Sequence, residues 1–303
     1  MNSVYKLIMS TGLTVISFLM LYTGNSYAEE KVIHEKNFQT AQGKTIKVDV
    51  ALGDINISTW DKNETYIKVT GNRKAEEKIR FIFENHDGNI EIIAKKYSPF
   101  SFSWSGMNLK FEIKIPKKYY PAVKTAGGNI SVTDLIGNTY LRTSGGNIYL
   151  DHITGETNSE TSGGNIEIGL IKGNSKISTS GGEIRTKWFE GNFSCHTSGG
   201  NINISGQNGS VYAETSGGDV KLYYKGINKG ISLHTSGGNI GIFLPADFGA
   251  KAHLATSGGN ISCELNTSNV VNITSSKFEA NLNNGGEELV AKTSGGDIRV
   301  YKK

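Results

Sequence analysis

From residue 121 onward, hydrophobic and polar residues alternate in short bursts that return at a fixed period. Each burst follows the motif Thr-[Ser/Ala]-Gly-Gly-[Asn/Asp/Glu]-[Ile/Val], beginning at Thr125, Thr143, Thr161, Thr179, Thr197, Thr215, Thr235, Thr256 and Thr293. The first five spacings are all 18 residues, followed by 20, 21 and 37. With Thr as position zero, position +5 is Ile or Val throughout (Ile130, Ile148, Ile166, Ile184), and position +7 is mostly apolar (Val132, Leu150, Ile168, Ile204). The residue between them is usually polar, so the period is two and predicts a half-buried strand. A second apolar column at +16 (Leu141, Ile177, Cys195, Ala213, broken by Ser159) predicts a second strand. Glycines at +12 (Gly137, Gly155, Gly173, Gly191, Gly209) mark a second turn, nine residues from the Gly at +3.

A two-strand unit cannot bury its apolar face alone, but stacked units form a continuous core. The expected fold is therefore all-β, a β-solenoid of about ten coils of 18–21 residues, spaced about 4.8 Å apart. The 37-residue gap fits two coils, with Thr274-Ser275-Ser276 as a degenerate motif. The turn glycines Gly145, Gly146, Gly163, Gly164, Gly181, Gly182, Gly199 and Gly200 are expected because tight corners demand positive φ.

Three regions follow. Residues 121–303 form the solenoid, and residues 29–120 a divergent β-rich region that leads into it and covers its first coil. That region carries strand-like runs such as Thr45–Val50, Asp54–Thr59 and Leu109–Ile115, and one short helical candidate at Lys74–Lys78. The boundary is placed near Pro116–Pro121, where proline interrupts pairing. Residues 1–28 read as a cleaved signal peptide: Lys6, the apolar run Leu13–Tyr22, then Ser26-Tyr27-Ala28 with small residues at −3 and −1. The protein is thus expected to be exported, whether periplasmic, cell-surface or extracellular. No transmembrane segment is expected in the mature chain.

Composition narrows the classes further. The 38 Gly accompany only 4 Pro, which excludes collagen, and 2 Cys cannot staple 303 residues. The 32 basic and 28 acidic residues nearly balance, so no nucleic-acid partner is implied. No Gly-x-Ser-x-Gly, His-Glu-x-x-His or phosphate-loop motif occurs, no cofactor is expected, and the chain reads as not an enzyme.

Several candidate sites remain. The column Asn129, Asn147, Asn165, Asn201, Asp219, Asn239, Asn260 and Asp297 fits a hydrogen-bonded ladder along the axis. A calcium row would need more carboxylates than this column supplies. His196, Glu214 and His234 precede Thr on three successive coils, an outward row that could hold zinc but lacks a fourth ligand. In the stretch 97–104, Phe100, Phe102 and Trp104 alternate with Ser, fitting either a buried strand or an exposed strip for sugar or lipid headgroups. Tyr149, Trp188, Tyr223, Tyr224 and Phe243 are not expected to share one exterior column. Cys195 and Cys263 fall in core columns about four coils apart, too distant for a disulfide, and are expected to be free and buried.

Gly53-Asp54-Ile55-Asn56-Ile57 with Trp60-Asp61, and Phe111-Glu112-Ile113-Lys114-Ile115-Pro116 leading into the Gly-Gly-Asn-Ile series, resemble the bacterial putative-adhesin family. The resemblance covers roughly residues 45–303 and implies an all-β repeat fold outside the cytoplasm, with no catalytic residues carried over. The leading expectation is a non-catalytic secreted or envelope binding protein whose partner is an envelope protein or a surface glycan. An envelope scaffold or stress-sensor module acting through protein partners comes second. A polysaccharide-active solenoid enzyme comes last.

Overall fold

From Thr125 to Thr235, each period folds into the two strands that its alternation dictates. In the computed structural model, which describes residues 31–97 and 106–303, the run after each Gly-Gly pair forms one strand. Examples are Ile148–Asp151, Ile166–Lys172, Ile184–Glu190 and Ile202–Gln207. The run that ends at or just before the motif Thr forms the other, as in Ser175–Ser178, Phe193–Thr197 and Val211–Thr215. Equivalent strands stack parallel and in register, Ile166 on Ile184 on Ile202 on Val220. Two 14-stranded sheets result, called here front (after Gly-Gly) and back (before Thr). Their facing columns, Ile184, Ile202, Ile204, Val220 and Leu222 against Cys195, Ala213 and Leu233, are fully buried. Burying each of the larger aliphatic chains contributes roughly 1.5–3 kcal/mol.

The motif Thr locks one coil to the next. Its buried hydroxyl donates to the carbonyl of the second motif Gly one coil earlier, Thr161 to Gly146, Thr179 to Gly164 and Thr197 to Gly182, each at 2.8 Å. The same oxygen accepts the N–H of its own second Gly, as in Gly182 N–H to Thr179 Oγ1 at 3.2 Å. Both capacities of a buried hydroxyl are therefore met.

The two motif glycines are not equivalent, and beyond Gly128, whose φ is 135°, positive φ is not what requires them. A Cβ on Gly146, Gly164, Gly182 or Gly200 would sit 1.9–2.0 Å from the carbonyl oxygen of the glycine stacked beneath it. A Cβ on Gly163, Gly181 or Gly199 would meet nothing closer than 3.6 Å, and on Gly145 nothing closer than 4.0 Å. Left-handed φ occurs instead at the other corner, at Gly155 (143°), Gly173 (120°) and Gly191 (114°).

Both ends of the solenoid depart from sequence order. The strand Ala250–Thr256 does not stack on Ile231–His234; Glu288–Thr293 lies between them in the back sheet. In the front sheet, Ile298–Lys302 likewise lies between Ile240–Leu244 and Ile261–Cys263. The coil of Thr293 is thus inserted between those of Thr235 and Thr256. The expected degenerate coil at Thr274 does not form. Thr267–Ile273 and Lys277–Leu282 make an antiparallel hairpin across the end of the back sheet. A chain that must turn back to insert its last coil needs a reversal there, and the hairpin supplies it.

The other end mirrors this arrangement. Thr45–Val50 and Asp54–Trp60 are inserted between the first regular coil and the strands Asn89–Lys96 and Leu109–Pro116. Pro116 and Pro121 lie inside paired strands, and both sheets run through them without a break. Antiparallel strands Glu64–Gly71, Lys31–Gln39 and Ile79–His86 cover this end. Among the described residues the one helix, Arg73–Lys78, starts at Asn72, whose side chain accepts the Ala75 N–H.

The glycine asymmetry gives a paired prediction. Gly182→Ala forces a Cβ into a backbone carbonyl and should cost more than about 4 kcal/mol, or prevent folding. Gly181→Ala, one residue away and exposed, should change stability by no more than about 0.5 kcal/mol. Urea unfolding of both variants followed by circular dichroism measures the difference.

Candidate functional site

On the front sheet, side chains at positions +6 and +8 point outward. The +6 column runs Arg185, Asn203, Lys221, Gly241 and Arg299 in spatial order. Gly241 is the gap: its coil neighbours carry long side chains, and it carries none. The result is a cleft of about 380 Å³ with Lys221 and Arg299 at its ends and Phe243 and Tyr301 on one side. Asp219, Asn239 and Asp297 line the other side.

The +8 column beside it is aromatic on three adjacent coils, although Tyr149, Trp188 and Tyr224 lie elsewhere, as the sequence predicts. Tyr223 stacks on Phe243 with ring centroids 4.3 Å apart, and Phe243 on Tyr301 at 4.6 Å, the ring planes nearly parallel. Tyr223 and Phe243 are readable as one column from motif counting. The third ring arrives only through the inserted coil, which no linear count reveals. Lys303 Nζ lies 4.2 Å from the Tyr223 ring centroid and 5.4 Å from that of Phe243, a cation–π arrangement. Trp188 sits in a bulge of the preceding region, with Lys225 Nζ 4.6 Å from its ring.

The Asn/Asp column forms a ladder in which each Asn or Asp side-chain oxygen accepts the next coil's backbone N–H, interrupted at Glu183, whose carboxylate accepts the Asn201 side-chain amide at 3.2 Å instead. Asp54 serves Asn129 at 2.7 Å, Asn129 serves Asn147, Asn147 serves Asn165, and Asn201 serves Asp219, the last three at 2.8 Å. The ladder crosses the inserted coil unbroken, from Asn239 to Asp297 to Asn260 at 2.9 Å each. The Asn260 N–H, with Arg299 beside it, holds the Asp297 carboxyl below the usual carboxylate range.

His196, Glu214 and His234 are brought into one outward row of the back sheet. Their polar atoms turn to separate partners. Glu214 accepts the Tyr212 hydroxyl at 2.6 Å, and His234 Nε2 meets Ser232 Oγ at 2.7 Å. His196 Nδ1 is 3.5 Å from Glu214 Oε2. Lys292 follows His234 on the inserted coil, adding a cation where a metal would sit. Among the described residues, the group whose potential ligand atoms converge is instead Glu84, His86 and Glu91. The two-residue turn Asp87-Gly88, both at positive φ, brings these side chains together across a hairpin. That dipeptide was the available signal. Glu91 is already paired with Lys47 at 2.7 Å.

Phe100, Phe102 and Trp104 lie outside the described residues, as does the segment 1–28. Both cysteines are free; Cys195 is buried, and burial pushes its thiol pKa well up, whereas Cys263 is only half-buried on an edge strand. Among the described residues, no helix is long and apolar enough to cross a membrane.

Two parallel sheets, coiled around one core and bearing an outward aromatic column, define a β-solenoid of the repeat-protein class. The chain belongs to the Toastrack DUF4097 family, whose model matches residues 43–301. Solved structures resemble it at low identity. A putative adhesin from Bacteroides fragilis NCTC 9343 is 11% identical over 90% of this chain and 99% of that one, at a TM-score of 0.47. A putative adhesin from Parabacteroides distasonis ATCC 8503 is 14% identical over 90% and 98%, at 0.41. A putative lipid binding protein from the same organism is 14% identical over 89% and 96%, also at 0.41. No curated protein matches the sequence.

The back-sheet row yields a pH prediction. Burial, with Lys292 nearby, lowers the His234 pKa against the opposing pull of Glu214. The folded protein therefore favours the neutral ring, while the unfolded chain takes up the proton more readily. This contribution is complete above the ordinary imidazole range and declines as pH falls through it. Melting temperature should drop between about pH 7.5 and 5.5, and His234→Gln should reduce that drop, leaving the part due to His34, whose pKa burial also lowers.

Proposed function

We propose that the protein is a non-catalytic, exported or envelope-associated binding module that engages a surface glycan on the front face of its solenoid. The observation that carries this reading is the juxtaposition of stacked Tyr223, Phe243 and Tyr301 with the cleft over Gly241. Sugar recognition combines an apolar ring surface with a few fixed polar groups, and this arrangement offers both. The rigid stack loses little conformational entropy when a ligand settles on it. Export rests on the pattern of residues 1–28.

The carboxylates of the cleft speak against a glycan-cleaving reading. Hydrolysis uses one carboxyl kept protonated as general acid. Asp297 accepts the Asn260 N–H, a bond that with Arg299 beside it favours its ionised form, and Asp219 spends Oδ1 on the Asn239 N–H at 2.8 Å.

A second reading, a scaffold acting through protein partners, draws on the edge strand Thr267–Ile273. It carries no charge and exposes Val270 (54%), Val271 (80%) and Ile273 (51%). Such an edge can accept a strand from another chain.

Screening the protein on a glycan array, followed by calorimetry, tests the first reading. The double variant Phe243→Ala/Tyr301→Ala should bind any retained glycan at least about tenfold more weakly, since a stacked aromatic contact contributes about 0.5–1.5 kcal/mol beyond its burial. An array without a single retained glycan, or a double variant that binds like the wild type, contradicts it.

A further inference from the structure

The cleft over Gly241 forms because the +6 column is filled by Lys221 and Arg299 on the coils to either side of it. It also straddles the seam of the inserted coil: Lys221 and Gly241 come from one side, Arg299 and Tyr301 from the other. Its polar groups are unevenly engaged. Asp219 Oδ1 accepts both the N–H and, at 3.4 Å, the Nδ2 of Asn239. Asp297 gives one oxygen to Asn260 and the other to Arg299 Nη2 at 2.8 Å. Asn239 Oδ1 accepts the Asp297 N–H. The acceptors are thus largely engaged within the protein.

Donors remain. Lys221 enters no ion pair among the described residues. The Arg299 guanidinium is shared between the Tyr301 hydroxyl and Asp297, and its fork of five N–H groups has more to offer than these two take. Lys303 stands over the neighbouring rings. A cleft with Lys221 at one end, the remaining Arg299 N–H groups at the other and an aromatic wall suits a ligand that presents an anionic acceptor on an apolar ring.

We infer that the cleft over Gly241 is a subsite for one acidic sugar residue, its carboxylate held by Lys221 and Arg299 and its ring set against Phe243. This rests on the glycan-binding reading. It adds the ligand's chemical class and makes the inserted coil part of the site, since Arg299 and Tyr301 belong to it.

Gly241 also provides a clean test. A Cβ there would meet only ordinary contacts, Phe243 at 3.5 Å and Lys221 at 3.8 Å. Gly241→Arg therefore restores the filled column without disturbing the backbone. Calorimetry would use the full protein and a panel of hexuronate oligosaccharides, each paired with the same oligosaccharide after reduction of its carboxyls to hydroxymethyl groups. The wild type should bind an acidic member at least about tenfold more tightly than its reduced partner. Lys221→Gln should remove most of that preference, and Gly241→Arg should lose binding, both with unchanged melting temperatures. Equal binding of acidic and reduced forms, or full binding by Gly241→Arg, overturns the acidic subsite while leaving glycan binding in place. If the wild type binds no panel member and no glycan on the array, the glycan reading fails and this inference with it.

Discussion

At the front-sheet corner, the carbonyl oxygen of one motif glycine occupies the place where a Cβ on the next coil's glycine would be, about 2 Å from it. Only glycine tolerates this close approach, so the corners can follow the strand spacing of the two sheets. It lets the motif Thr hydroxyl reach the carbonyl one coil back, and it lets each Asn or Asp side chain reach the next backbone N–H. Both ladders depend on coils that differ in sequence but share a backbone path. Stability is then distributed over near-identical interfaces between neighbours, as expected of a quasi-one-dimensional fold.

Identical interfaces have a topological consequence. A coil that offers the same Thr, Gly and Asn groups can stack on any other coil, so sequence order need not be spatial order. The protein uses this at both ends, where the coil of Thr293 and the strands Thr45–Val50 and Asp54–Trp60 are inserted one place inward. The outermost coils are consequently held from both sides of the chain, and antiparallel strands cover much of the remaining edge. At the second seam, the gap at Gly241 meets Arg299 and Tyr301, residues 58 and 60 positions further along the sequence. The front-face cleft is a product of that insertion.

The repeat made most of the fold legible, because strict alternation and regular Gly spacing leave few alternatives to a stacked two-strand coil. The hydrogen-bonded Asn column followed from the same counting. Insertion was not legible. The 37-residue gap contained Thr274-Ser275-Ser276, which resembles a worn motif, but it lacks the glycine that close stacking requires and folds as a hairpin turn. The role of Gly182 was misread in kind, since carbonyl approach from another coil leaves no local mark. The aromatic column was missed because Tyr301 joins Phe243 only through the insertion. The His196, Glu214 and His234 row was placed correctly on one face, but alternation does not tell which partners its polar atoms choose.

Cysteine cross-linking tests the inserted order most directly. In a background with Cys195 and Cys263 changed to Ala, one variant carries Gly241→Cys with Arg299→Cys and the other Gly241→Cys with Ser262→Cys. Positions 241 and 299 are register partners on adjacent strands, whereas 262 pairs with 299 and lies one strand further away. A disulfide spans Cα atoms no more than about 7 Å apart, which admits adjacent strands and excludes a separation of two. Oxidation should bridge 241 to 299 within one chain and leave 241 and 262 unlinked. A bridge between 241 and 262 without one between 241 and 299 would mean that the coils stack in sequence order and that the front-face cleft does not exist.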